Sequence, residues 1–205
     1  MTAFDIYLAS ASPRRRALLA QIDVRFQQVG VEVDESRRGG ESPADYACRL
    51  ALDKARAGRA KRPAGDTRPV LGADTIVMAG DEVLGKPRDR EHGLYMLALL
   101  SGRTHVVLSA VAVVADSEAV SWNESFVTFR ELDDRERLAY WASGEPADKA
   151  GAYAIQGLAA AFIARLEGSY SGVMGLPLFE TASLLSRIGI DVVARRQPKG
   201  IERHE

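Results

Sequence analysis

The chain contains a single cysteine, no apolar run long enough to span a bilayer, and no excess of either charge. Each absence removes a class of protein. With Cys48 alone there is no disulfide framework and no thiolate metal cluster. Its place between Ala47 and Ala51 in a patterned apolar segment points to a buried structural thiol. Neither a membrane span nor a basic-then-apolar secretion signal is present, so cytoplasm is the default expectation. A formal net charge of −1 gives no whole-molecule field for nucleic acid or an anionic membrane. Any phosphate ligand must therefore be met by local positive charge.

Several reaction types lack their parts. His92, His105 and His204 show no zinc spacing. His105 opens a strand-like run, and a satisfied sheet-end histidine is favoured there over a general base. No Gly-x-Ser-x-Gly elbow and no Gly-x-x-x-x-Gly-Lys-Ser/Thr loop occurs, which removes the α/β-hydrolase triad and P-loop chemistry. The stretch from Gly151 to Gly157 does not fit the dinucleotide-binding fingerprint.

What is present is a globular composition, with 46% apolar and 27% charged residues over 205 positions. That length supports one domain, or two lobes sharing one sheet. Strands are expected at Phe4 to Ala9, Phe26 to Val33, Pro69 to Met78, a short return ending near Leu84, Thr104 to Ala115, Val120 to Thr128, and Ala160 to Glu167. Ser12-Pro13 and Ser42-Pro43 mark helix starts, the second helix running to about Gly58 with Tyr46, Leu50 and a row of alanines inward. A further helix from about Asp89 presents Leu94, Leu97 and Ala98. Asp133 and Glu136 form a capping box with Leu132 stapling against Arg137 or Leu138. Gly168 to Gly172 is a loop, and a last helix starts at Pro177. Strands and helices interleave as in an α/β domain with a mixed sheet. The single domain is expected to cover residues 1–190, with a polar tail over 191–205 that frays from Arg195.

Two segments stand out chemically. Ser10-Ala11-Ser12-Pro13-Arg14-Arg15-Arg16 is a strand, a small-residue turn and a helix start, which aims free N–H groups and the positive helix end at one point. Arginine in a first turn opposes the helix dipole, and a bound anion would offset that. The alternative is an exposed arginine-rich surface. In Gly72-Ala73-Asp74-Thr75 an aspartate interrupts an apolar strand, where it is costly to bury alone. A metal ligand or general base is favoured over an ion pair. Glu35, Lys54 and Lys86 are weaker single signals, Lys86 being fixed between Gly85 and Pro87.

Together, Leu8-Ala9-Ser10-Ala11-Ser12-Pro13-Arg14-Arg15, Gly72-Ala73-Asp74-Thr75, Leu84-Gly85-Lys86-Pro87, Ser101-Gly102-Arg103-Thr104-His105 and Gly151-Ala152-Tyr153-Ala154-Ile155-Gln156-Gly157 resemble the Maf family, collinearly from about Tyr7 to Ser186. The resemblance implies an elongated, two-lobed α/β fold with a twisted mixed sheet, like that of inosine triphosphate pyrophosphatases. It implies cleavage of the α–β phosphate link of nucleoside triphosphates with Mg²⁺ or Mn²⁺.

Asp74 matches the proton acceptor, with Asp74 and Glu35 the candidate metal partners. Arg14, Thr75 and Gln156 match the positions that set base preference, and follow the dTTP/UTP branch. The 7-methyl-GTP branch carries tryptophan, glutamine and glutamate there. Ser10, Arg15, Lys54 and Lys86 match further cleft positions. CTP and modified uridine or thymidine triphosphates fall within the expected range, and a homodimer is compatible. The competing readings are a 7-methyl-GTP pyrophosphatase and a nucleotide-binding regulator of septum formation that does not cleave.

Overall fold

The computed structural model describes residues 4–194. A seven-stranded sheet is built from β1 (Ile6–Leu8), β2 (Phe26–Gln28), β3 (Val70–Ala79), β4 (Glu82–Leu84), β5 (Thr104–Val114), β6 (Glu118–Phe129) and β7 (Ile163–Glu167). The order is β2-β1-β3-β5-β6-β7, with β4 added to β3. β1 runs parallel to β2 and β3, and the other pairs are antiparallel, so the sheet is mixed. Parallel neighbours need crossovers. These are α1 (Pro13–Gln21) and α2 (Pro43–Ala60); α3 (Arg90–Leu100), α4 (Asp134–Ala142), α5 (Tyr170–Met174) and α6 (Leu178–Arg187) follow. This is the expected α/β class.

Small residues set how closely α2 approaches the sheet. Ala47, Ala51 and Ala55 pack on Ile76, Leu108, Ala110 and Ala112. A Cβ at Gly72 would lie 2.3 Å from the Ala51 carbonyl oxygen, so this close contact requires glycine there. The opposite face is covered by Leu18 and Leu19 of α1 and Leu184 and Leu185 of α6, over Leu71, Ala73, Val111 and Val113. Beyond it, Met96, Leu97 and Leu100 of α3 pack with Val107, Val127, Phe129 and Tyr153.

Local expectations fail where tertiary packing decides. β2 stops at Gln28 because its partner β1 is only three residues long. The buried face of α3 is Gly93, Met96, Leu97 and Leu100, and Ala98 is exposed. Trp141 rests so tightly on Gly93 that a Cβ there would meet its ring at 2.0 Å. Leu132 is buried in the core while Leu138 is exposed, so Leu138 is not the staple partner of Leu132. Residues 158–162 form a 3₁₀ turn that delays β7 to Ile163. The expected loop at Gly168 to Gly172 contains the start of α5, capped by the Ser169 hydroxyl, which accepts from the Gly172 N–H at 2.9 Å. The tail from Arg195 lies outside the described residues.

One feature of the sheet creates the site. Along a single edge, β3 pairs with β1 at Val70 and Leu71 and with β4 from Val77 to Ala79. Between them, Gly72 to Ile76 have a strand neighbour only on the β5 side. Successive strand side chains point to opposite faces, and a continuous sheet would keep them apart. At this gap both faces open into one space.

Candidate active site

A cleft of about 710 Å³ lies at the gap, and Ser10, Arg14, Arg15, Glu35, Lys54, Asp74, Thr75, Lys86 and Gln156 all line it. The structure thus brings together every candidate residue. They come from the β1–α1 turn, the first turn of α1, the loop before α2, α2 itself, the middle of β3, the segment after β4, and the segment after α4.

Asp74 is buried and faces α2. One Asp74 oxygen accepts from the Lys54 ammonium at 2.7 Å, and the same ammonium lies 2.6 Å from Glu35. The ion pair, posed as the alternative to a metal ligand or general base, is formed, and it lies in the cleft that Asp74 lines. Lys54 and Asp74 are both largely shielded, whereas the Glu35 side chain is 62% exposed. Tyr46, expected only to pack inward, donates its hydroxyl to the Glu35 backbone carbonyl. Its pKa is raised by burial and, secondarily, by the charges of Asp74 and Glu35.

Across the sheet from Asp74, the β1–α1 turn orders the arginines. The N-cap Ser12 accepts from Arg15 N–H at a long 3.5 Å, and Pro13 occupies the first helical position. The Ser10 hydroxyl oxygen accepts from Ser12 N–H at 3.2 Å and from Arg15 Nη1 at 3.1 Å. Both its lone pairs are then used, and its own proton remains available to donate into the cleft. Arg15 Nε donates to the Gly175 carbonyl at 2.7 Å, and Arg14 Nε to that of Met174 at 3.1 Å. Burial lowers the pKa of both guanidiniums. The nearby Asp74 carboxylate counteracts this at Arg15, and Asp148 does so at Arg14. Guanidinium nevertheless stays charged in any ordinary environment.

Gln156 is exposed to the cleft, and its amide makes no hydrogen bond among the described residues. The glycines around it serve packing inside the protein. A Cβ on Gly151, whose φ is +69°, would press on Val77 at 2.9 Å, and one on Gly157 would meet the Glu145 carboxylate at 2.1 Å. The room these glycines leave is taken by protein side chains, not by a ligand. Glu145 occupies that space because it accepts from the Tyr140 hydroxyl at 2.6 Å and from Leu158 N–H at 2.9 Å.

Sequence reasoning missed Lys149 and Asp148, which form an ion pair at the cleft. A lysine in a turn-rich stretch carries no local signal. It also missed Ser109, a buried hydroxyl opposite Thr75 in the β3–β5 register. The signal there was a lone serine in a β-branched run. His105 is buried, with Nε2 2.8 Å from the Tyr153 hydroxyl, and burial lowers its pKa to about 4. It is a packed sheet histidine, but not the fully satisfied one expected, because its buried Nδ1 has no hydrogen-bond partner among the described residues. Cys48 is half-buried and free.

The cleft lining carries Arg14, Arg15, Lys54, Lys86 and Lys149 against Glu35, Asp74 and Asp148. A nearly neutral protein thus concentrates positive charge at one place, as a polyanionic ligand requires. Among the described residues no group of three or more His, Cys, Asp or Glu could cage a metal ion. Asp74 and Glu35 do converge on a common cation, Lys54. Two hard oxygen donors suit Mg²⁺ or Mn²⁺, which retain waters and share phosphate oxygens rather than needing a full protein cage.

Fold and cleft define an α/β protein built to hold a polyanion beside a buried carboxylate. The chain belongs to the Maf family: the family profile described as Maf-like protein matches residues 5–188. A dTTP/UTP pyrophosphatase of Alkalilimnicola ehrlichii is 57% identical over 189 residues, covering 91% of this chain and 94% of that one. One from Saccharophagus degradans is 54% identical, covering 92% and 90%. One from Escherichia coli O157:H7 is 52% identical, covering 89% and 92%. A solved dITP/XTP pyrophosphatase of Mycobacterium abscessus aligns with 62% of this chain and 74% of that one, at 21% identity and a TM-score of 0.37, a likeness too low to carry the fold. No helix among the described residues is long and apolar enough to cross a membrane.

Proposed function

We propose that this chain hydrolyses dTTP and UTP to the monophosphate and pyrophosphate. The observation that carries the proposal is the convergence of Asp74 and five basic side chains on one cleft. Relatives at more than half identity, named dTTP/UTP pyrophosphatases, support it. The triphosphate oxygens would be held by Arg14, Arg15, Lys54, Lys86 and the Ser10 hydroxyl, through charge-assisted hydrogen bonds that strengthen as charge builds on the leaving pyrophosphate. Asp74 would orient the attacking water and accept its proton. Asp74 and Glu35 would hold a divalent ion, which when bound neutralises phosphate charge. Gln156 offers one donor and one acceptor edge, which suits the imide and carbonyl of uracil or thymine.

The cytoplasm, where such triphosphates are found, is the proposed location. Against a 7-methyl-GTP substrate stand Arg14, Thr75 and Gln156 in place of tryptophan, glutamine and glutamate. A regulator that only binds nucleotide would have no need of a buried carboxylate such as Asp74.

The test is pyrophosphate release from a panel of triphosphates with Mg²⁺, Mn²⁺ or chelator, with products separated by chromatography. UMP and pyrophosphate are expected from UTP, with loss of activity on chelation. Formation of UDP and free phosphate would overturn the assignment of the cleaved bond.

A further inference from the structure

Ser109 lies on β5 directly opposite Thr75 of β3 and is almost completely buried. Its Oγ is 2.5 Å from the carbonyl oxygen of Gly172 in α5. A carbonyl can only accept, so the one hydroxyl proton of Ser109 is committed to it. The Ser109 and Thr75 hydroxyl oxygens are 2.9 Å apart. Since Ser109 has no second proton, Thr75 is the donor of that bond. Thr75 Oγ1 then has two lone pairs and no free proton. Arg15 Nη2 approaches one of them at 3.5 Å. What remains towards the cleft is a single acceptor.

We infer that Ser109 is a positioning residue that locks the Thr75 hydroxyl as an acceptor towards the substrate, and so favours a pyrimidine whose ring N3 carries a proton. Uracil and thymine present N3–H, a donor, whereas cytosine presents an N3 lone pair, which an acceptor repels. The Gln156 amide cannot make this distinction alone. It is exposed and held by no hydrogen bond among the described residues, so it can turn over to offer either edge. Thr75 cannot turn its proton into the cleft without breaking the bond to Ser109. Ser109 also ties α5 to the sheet, and the carbonyls of Met174 and Gly175 at the end of α5 hold Arg14 and Arg15. One buried hydroxyl thereby sets both the hydrogen-bonding sense of Thr75 and the seat of the arginines.

This rests on the pyrimidine triphosphatase reading above, and the test separates the two. Steady-state kcat/KM is measured for UTP and CTP in the wild type, Ser109→Ala, Ser109→Cys, Thr75→Val, and the Ser109→Ala/Thr75→Val double variant. The wild type should favour UTP. In Ser109→Ala the Thr75 proton is released, and the UTP:CTP ratio should fall about tenfold, the usual size of one hydrogen-bond discrimination. Ser109→Cys, whose thiol fills the same space but accepts weakly, should fall between the two. Thr75→Val should lose the preference as well, and adding Ser109→Ala to it should lower the ratio no further. Equal loss on both substrates in Ser109→Ala would mean that the serine only supports the fold, and would overturn the lock while leaving the enzyme assignment intact. A wild type that cleaves neither nucleotide would overturn both, and one that cleaves both equally would overturn the lock while leaving the enzyme assignment intact. If Ser109→Ala does not fold, unchanged ratios in Ser109→Cys and Thr75→Val refute the lock.

Discussion

The Lys54 ammonium stands between two carboxylates, 2.6 Å from Glu35 and 2.7 Å from Asp74, and only the Asp74 side of this bridge is buried. The asymmetry separates catalysis from stability. In Asp74→Asn, Lys54 keeps Glu35 as its partner and an uncharged amide fills the buried site. Turnover should fall by about 10²–10⁴, the usual contribution of a general base, with little change in the unfolding midpoint. In Lys54→Met, the buried Asp74 loses its partner, while Glu35 returns to water. That protein should be destabilised by about 1–3 kcal/mol as well as impaired. Denaturant melts and turnover measured on the same preparations decide it. Near-normal turnover in folded Asp74→Asn would reduce Asp74 to a structural ion-pair partner.

Gly72 tests how the helix is seated. A Cβ there would come 2.3 Å from the Ala51 carbonyl oxygen and 2.6 Å from the Ala55 backbone nitrogen, and backbone cannot yield as a side-chain tip does. Gly72→Ala should therefore push α2 outward and cost about 1–3 kcal/mol. Because Lys54 rides on α2, turnover should fall too. Thermal unfolding and steady-state kinetics are the measurements; a variant as stable and active as the wild type would show that the helix contact is not as tight as described.

Base choice should respond to Gln156. In Gln156→Glu the amide donor becomes a second acceptor, which repels a uracil carbonyl and suits a cationic base such as 7-methylguanine. The kcat/KM ratio of UTP to 7-methyl-GTP should fall roughly tenfold to a hundredfold. Exchanging Arg14, Thr75 and Gln156 together for tryptophan, glutamine and glutamate should shift it further than any single change. Equal losses on every substrate would place base recognition elsewhere.

His105 should give the fold a pH dependence. Burial lowers its folded pKa from 6.5 to about 4. Between those values the unfolded chain binds a proton that the folded chain refuses, so stability rises with pH across the window. The effect is complete above about pH 6.5, and as pH falls it is lost progressively until His105 protonates in the folded state near pH 4. The shift corresponds to about 3 kcal/mol. Urea midpoints from pH 7 to 4.5 should show this slope in the wild type and a flatter one in His105→Asn. The upper part of the window lies above the carboxylate range, which isolates the histidine. Parallel slopes would assign the dependence to other groups.

Much of the secondary structure follows from local chemistry and was legible in the sequence. Ser42 with Asp45, and Asp133 with Glu136, cap helices through bonds that span three residues. The row Ala47, Ala51 and Ala55 marks a helix that must lie close to its sheet. Asp74 drew attention for the same kind of reason, since a carboxylate in an apolar strand has to be answered by something nearby. Motif by motif, the candidate residues could also be named, and they do share one cleft.

Only the tertiary structure decided how they share it. Asp74 and Thr75 alternate across β3, and strand geometry alone assigns them to opposite faces. They meet in one cleft because β1 and β4 divide an edge of β3 and leave Gly72 to Ile76 between them. That gap is bounded on one side by β4, the hairpin return of β3 itself, and on the other by β1, which comes from far away in sequence. The approach of Lys149 and the commitment of the Ser109 proton to Gly172 likewise join distant segments. Caps and amphipathic faces are short-range and repeat with the period of the backbone. The β3–β4 return is local and legible, but the seat of β1 on the same edge and the chain of hydroxyls are set by contacts between segments far apart in sequence, and no local pattern encodes those.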